Sequence, residues 1–293
     1  MKKVLVIVLA AVMVLGLAAC GQKTEEVASQ AEEKASEVVS EAEEKVEEVV
    51  EEVEEKVDEV VEKVEEKVDE VLGTDEEAKV MTYAEYAAAA VDDAVVIECY
   101  VQDHQSWWDN KISVYAADED GAYFLYNMAC EEADAEKLVP GTKIKVTGYK
   151  AEWSGEVEVA EGATFEFVED AEPYIAEATD VTALLGTDEL IENINRFVSF
   201  KDLEVAASTD ADGNEAAYLY NWDGSGTQGD DLYFNVTDGK ETYQFTVESY
   251  LRGADTDVYK AVEGLKVGDK IDCEGFLYWY NGANPHITTV TVK

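Results

Sequence analysis

Residues 138–155 read LVPGTKIKVTGYKAEWSG, and residues 265–282 read LKVGDKIDCEGFLYWYNG. The two stretches align without a gap. Leu138 meets Leu265, Gly141 meets Gly268, and Lys143-Ile144 meets Lys270-Ile271. Further on, Gly148 meets Gly275, Tyr149 meets Phe276, Trp153 meets Tyr280 and Gly155 meets Gly282. Matches in this register point to an internal duplication.

The likeness extends upstream in order, though not in length. Asp120-Gly121 separates KISVYAADE from AYFLYNM, and Asp238-Gly239 separates DLYFNVTD from ETYQFTVESYL. Asp-Gly between alternating apolar runs predicts a β-hairpin. A helical patch follows each hairpin, CEEADAEKL and then TDVYKAVEGL. A strand precedes each, AVVIECYV and RFVSFKDLEV, itself led by a helical stretch, TYAEYAAAAVDD and DVTALLGTDELIENIN. Each half therefore predicts strand, strand, strand, helix, strand, strand.

That order resembles the OB-fold, a five-stranded Greek-key barrel. The resemblance rests on element order and on the shared Gly-x-x-Ile, Gly and Gly pattern. It implies a mainly β protein with two tandem OB-fold-like domains, at 79–170 and 174–293. A pair of immunoglobulin-like sandwiches is the competing architecture, and the helix between the third and fourth strands weighs against it.

The N-terminus predicts an address. MKK supplies positive charge, VLVIVLAAVMVLGL is apolar, and Leu17-Ala18-Ala19-Cys20 follows. These features make a secretory signal. Residues 1–20 resemble a bacterial lipoprotein signal with a lipobox, which implies lipidation of Cys20 and a membrane anchor on the extracytoplasmic face. The apolar run is shorter than the roughly 20 residues of a membrane span. With the two halves, the arrangement resembles clostridia-like surface lipoproteins carrying tandem OB-fold-like domains.

Residues 21–73 predict an acidic helical stalk. The blocks EEVASQAEEKA, SEVVSEAEEKV, EEVVEEVEEKV and DEVVEKVEEKV repeat every eleven residues. Three apolar positions per eleven gives a period of about 3.67, a straight or slightly right-handed stripe. Glu41-Lys45, Glu52-Lys56 and Glu59-Lys63 are favourable i,i+4 pairs. The helix is a solvated acidic spacer, stands as a stalk, alone or self-associated as a coil, which is the favoured reading, or lies on the membrane by its valine face. Residues 21–72 hold 21 acidic against 6 basic residues, which argues against the last, because surface-lying helices carry lysine-rich faces.

Residues 73–293 hold 46 acidic and 14 basic residues, net −32. A surface this negative argues against nucleic acid, whose binding is mostly phosphate neutralisation. Beyond Cys20 the cysteines are Cys99, Cys130 and Cys273. An odd number cannot all pair. Cys99 and Cys130 either form a bridge or sit as small buried apolar residues.

OB-folds bind ligands on their second and third strands, between the first and fourth loops. In the first half, DHQSWWDNK, residues 103–111, carries Trp107 and Trp108, and the fourth loop carries Trp153. Adjacent strand residues face opposite ways, so one tryptophan of the pair plugs the barrel while the other meets ligand. In the second half the corresponding rings are Trp222, in the long loop 208–231, and Trp279 and Tyr280, in YWYNGANPH. Tyr126 and Tyr233 lie on the strands between, with Tyr115, Tyr123 and Tyr243 as further candidates depending on face. Such a platform suits sugar rings and bases alike.

Asp210-Ala211-Asp212-Gly213-Asn214 is faintly like a calcium loop but lacks the ligand spacing of an EF-hand, so it reads as an acidic turn. Nothing resembles a catalytic or phosphate-binding signature. The expectation is a lipid-anchored binding protein, not an enzyme, without cofactor or metal. Its ligand is a glycan or another extracellular molecule, against the alternatives of nucleic acid and of an envelope scaffold docking a partner protein.

Overall fold

The computed structural model describes residues 79–293. The lipobox with Cys20 and the eleven-residue repeats lie outside the described residues. Residues 78–293 form one compact unit, built of two barrels.

Barrel one comprises β1 (Ala94–His104), β2 (Lys111–Ala117), β3 (Ala122–Ala129), β4 (Lys143–Trp153) and β5 (Glu156–Val159). The strand order is β1-β2-β3-β5-β4, closed by antiparallel pairing of β1 with β4. β3 and β5 run parallel, and the added strand β6 (Thr164–Phe167) lies on β4. Alternation fills the interior: Val95, Ile97, Cys99 and Val101 of β1 are all buried in one core. A lead-in helix, α1 (Tyr83–Ala88), begins at a Thr82–Glu85 capping box. A buried lysine closes its other end, since Lys150 Nζ donates to the carbonyls of Tyr86, Ala87 and Ala89. Helix α2 (Glu132–Ala135) connects β3 to β4.

Barrel two repeats the plan with β7 (Phe197–Ala206), β8 (Leu232–Thr237), β9 (Thr242–Val247), α3 (Asp257–Glu263), β10 (Lys270–Phe276) and β11 (His286–Val292). Its order is β7-β8-β9-β11-β10, closed by β7 with β10, with β9 and β11 parallel. Both barrels thus have the OB order, and both Asp-Gly hairpins form where expected. The second lead-in differs from the expected helix. It forms two short 3-10 turns, Thr182–Leu184 and Asp188–Asn193, separated by Gly186 at φ +75°.

The duplicated stretch is duplicated in detail. Gly141 and Gly268 sit at φ +91° and +90°, a conformation that costs other residues. Gly141 donates to the Val101 carbonyl and Val101 to that of Thr142. Gly268 donates likewise to Val205, and Val205 to Asp269. Gly148 faces Val95 across β1, and Gly275 faces Val198 across β7. A Cβ on Gly148 would lie 2.8 Å from Ala163 Cβ and Val159 Cγ1; one on Gly275 would lie 2.2 Å from the His286 carbonyl oxygen.

A third core joins the barrels. Tyr115 and Phe124, on the outer face of barrel one, pack with Leu251 and Phe276 of barrel two. Tyr115 and Phe276 stack with centroids 4.2 Å apart and planes at 8°. Polar contacts surround this core. Trp279 N–H donates to Glu156 Oε2 at 2.8 Å, Asn195 Nδ2 donates to the Val157 carbonyl at 2.8 Å, and Arg252 pairs with Asp103. Cys99, Cys130 and Cys273 are free, buried thiols, so the apolar alternative holds for them.

Candidate ligand-binding groove

The Trp107-Trp108 pair is divided by a tight turn. Trp108 and Lys111 exchange backbone hydrogen bonds of 3.0 Å in both directions. Between them Asp109 and Asn110 take φ +49° and +59°, the left-handed pair of a two-residue hairpin turn that Asp and Asn tolerate. Trp107 is turned inward against the core of barrel one, its Nε1 donating to the Cys130 carbonyl at 2.9 Å. Trp108 is turned outward and is 73% exposed.

Trp108 forms one wall of a cleft of about 560 Å³. Tyr126, projecting from the outer face of β3, and Tyr250, from the segment after β9, supply the other rings. Tyr126 is 39% and Tyr250 67% exposed. Gln105, Ser106, Ser113 and Asn127 place amides and hydroxyls among these rings. The cleft is therefore the uncovered end of the β2–β3 face. The other end of that face, with Tyr115 and Phe124, lies under barrel two.

The two barrels jointly hold the walls in place. Ser106 N–H and hydroxyl both donate to the Tyr250 carbonyl, at 2.7 and 3.1 Å. Gln105 Nε2 donates to Glu248 Oε2 at 3.2 Å, and Tyr250 N–H to Glu248 Oε1 at 3.2 Å. Burial raises the Glu248 carboxyl to about 7. Among the described residues the one cation lining the cleft, Lys111, is engaged by Glu161. The chemistry offered is flat apolar rings, neutral hydrogen-bonding groups and little free positive charge, in an acidic molecule.

The other predicted residues fall elsewhere. Trp153 and Tyr280 come together from different barrels, with ring centroids 5.0 Å apart and planes at 32°, each about half exposed. Trp279 turns the other way: its ring covers Gly155, where a Cβ would stand 2.7 Å from Trp279 Cδ1, and it packs against the second core. Trp222 is 71% exposed and pairs with no other ring among the described residues. Tyr233 is half-buried on β8. Tyr123 and Tyr243 pack against the first and second cores respectively. Tyr250 carried no signal, since it lies in neither expected loop. The Asp210 carboxylate is spent on its own turn, accepting from the Asp212 and Asn214 N–H groups.

No family model matches the chain, and no curated protein matches it. Among solved structures, a murine DNA-binding protein bound with double-stranded DNA is similar at 12% identity and a TM-score of 0.34, over 68% of this chain and 96% of that one. The p204 HINb domain is similar at 13% identity and 0.33, over 69% and 98%. The Ifi202 HINa domain in complex with a 20-base-pair double-stranded DNA is similar at 13% and 0.31, over 69% and 98%.

Proposed function

We propose that this chain is a lipid-anchored extracytoplasmic binding protein whose groove at Trp108, Tyr126 and Tyr250 stacks the rings of a glycan. The observation that carries the reading is the groove itself. Three exposed rings from two barrels surround neutral donors and acceptors, held by contacts that cross between barrels. Exposed rings in a cleft exceed what barrel packing needs, and amide and hydroxyl groups match sugar hydroxyls in both directions. The anchor reading is supported by the MKK start, the apolar run and Leu17-Ala18-Ala19-Cys20. Loss of radiolabelled fatty-acid incorporation in Cys20→Ala tests the anchor. A glycan array probed with wild type and Trp108→Ala tests the groove: binding that Trp108→Ala leaves unchanged overturns it.

Nucleic acid is the second reading. Exposed rings stack bases as readily as sugars. The net charge of −32 over 73–293 and the engaged Lys111 oppose it. Titration with single- and double-stranded DNA at low and high salt separates the two. Phosphate-driven binding weakens steeply with salt, whereas sugar stacking does not.

A further inference from the structure

The seam between the barrels continues beyond the groove. On β5 the outward residues are Glu156 and Glu158, because Val157 and Val159 pack against the first core. Glu158 lies beside Phe124 of β3, and Glu156 beside Trp153 of β4. The turn between β4 and β5, with Ser154 and Gly155 at φ +54° and +91°, keeps Trp153 on that same face. Tyr280 meets Trp153 from barrel two, while Tyr278 stacks edge-on to Phe124 at 5.5 Å. Tyr126 and Trp153 are thus separated by two strand spacings across the sheet and a few residues along it, about 15 Å.

Glu158 sits between these aromatic stations. It is 7% exposed; its carboxylate oxygens are not sealed from solvent, and no hydrogen bond to them forms among the described residues. Between exposed rings, a carboxylate open to solvent is free to accept a hydrogen bond from a bound molecule. Among the described residues no cation is paired with Glu156 or Glu158, so nothing at this spot would neutralise a phosphate. A neutral molecule rich in hydroxyls meets both requirements.

We propose that Trp153, Tyr280 and Glu158 form a second sugar subsite, so that the molecule takes a linear oligosaccharide along the barrel seam rather than a single terminal sugar. The proposal rests on the glycan reading of the groove. At one station the chain stacks on Trp108, Tyr126 and Tyr250. It then passes over Glu158, which accepts from a ring hydroxyl, and ends on the Trp153–Tyr280 pair.

The test is calorimetry on the full chain in detergent, with β-1,4-linked N-acetylglucosamine disaccharide and hexasaccharide as probes. A second stacked ring is worth on the order of tenfold in affinity or more, so the hexasaccharide binds at least tenfold tighter than the disaccharide. Trp153→Ala and Glu158→Gln bring the hexasaccharide down to the disaccharide level and leave the disaccharide unchanged. Glu158→Gln, nearly the same shape, guards against misfolding as the cause. Binding that depends on Trp108 but not on length, or equal losses for both probes, overturns the second subsite alone. Binding of neither probe overturns the groove reading with it.

Discussion

The Tyr115 hydroxyl of barrel one and Nδ1 of His286 in barrel two lie 2.9 Å apart, in a hydrogen bond fully shielded from solvent. The same Tyr115 ring stacks on Phe276. One side chain thus carries one of the apolar and one of the polar contacts of the seam. Tyr115→Ala is expected to cost about 3–5 kcal/mol, as for other large buried rings. Urea unfolding should change from one transition to two as the barrels uncouple. A single transition with an unchanged midpoint would refute the coupling.

The seam also sets the pH dependence of stability. Burial lowers His286 to about 3, against 6.5 for a free imidazole. The unfolded chain takes up that proton first, so this contribution is complete above about 6.5 and is lost as pH falls toward 3. Burial raises Glu156 to about 8 from 4.5. Here the folded state keeps a proton that the unfolded chain releases, so the contribution is complete below about 4.5 and is lost as pH rises toward 8. Glu158 and Glu248, each raised to about 7, act in the same sense. Thermal melts should show Glu156→Gln raising Tm by several degrees at pH 8 with little change at pH 5. An alkaline slope identical to wild type would show that Glu156 is not the group responsible.

Trp107 and Trp108 separate structure from binding. Trp107→Ala removes a ring from the first core and leaves the Cys130 carbonyl without its donor, at a cost of about 2–4 kcal/mol. Trp108→Ala, on an exposed ring, changes stability by no more than about 0.5 kcal/mol. Paired denaturation curves check this, and reversal of the two effects would contradict the inward and outward assignment.

Equivalent glycines should respond unequally to substitution. At Gly148 a Cβ meets side-chain methyls, which can shift slightly. At Gly275 it meets the backbone of β11, which cannot shift without breaking the ladder. Gly275→Ala is therefore expected to destabilise by more than Gly148→Ala, read as the difference in urea midpoints. Equal losses would mean that β11 yields more than its close approach to β10 indicates.

Local chemistry made the barrels legible. The Asp-Gly turns and the glycines before β4 and β10 need only nearby residues to act, so their pattern survives in one dimension. Which face each aromatic occupies was not legible. A bulge in β1 between Val101 and Asp103 shifts the alternation just ahead of the tryptophans, and the Asp109-Asn110 turn then reverses the chain. Tyr250 was missed for another reason: it reaches the groove only because barrel two docks on barrel one. The same docking took the Tyr115 end of the β2–β3 face out of use, which no pattern within one half could announce.

The third core has a consequence for how the chain is made. Tyr115 and Phe124 are synthesised well before Leu251 and Phe276, so barrel one can close while its apolar face is still bare. At about 5–20 residues per second the gap is roughly 6–30 seconds. During that interval the half-made molecule carries a sticky patch that suits any second copy as well as its own missing half. Faithful assembly then depends on chain connectivity winning that race, and crowded nascent copies would exchange barrels with one another.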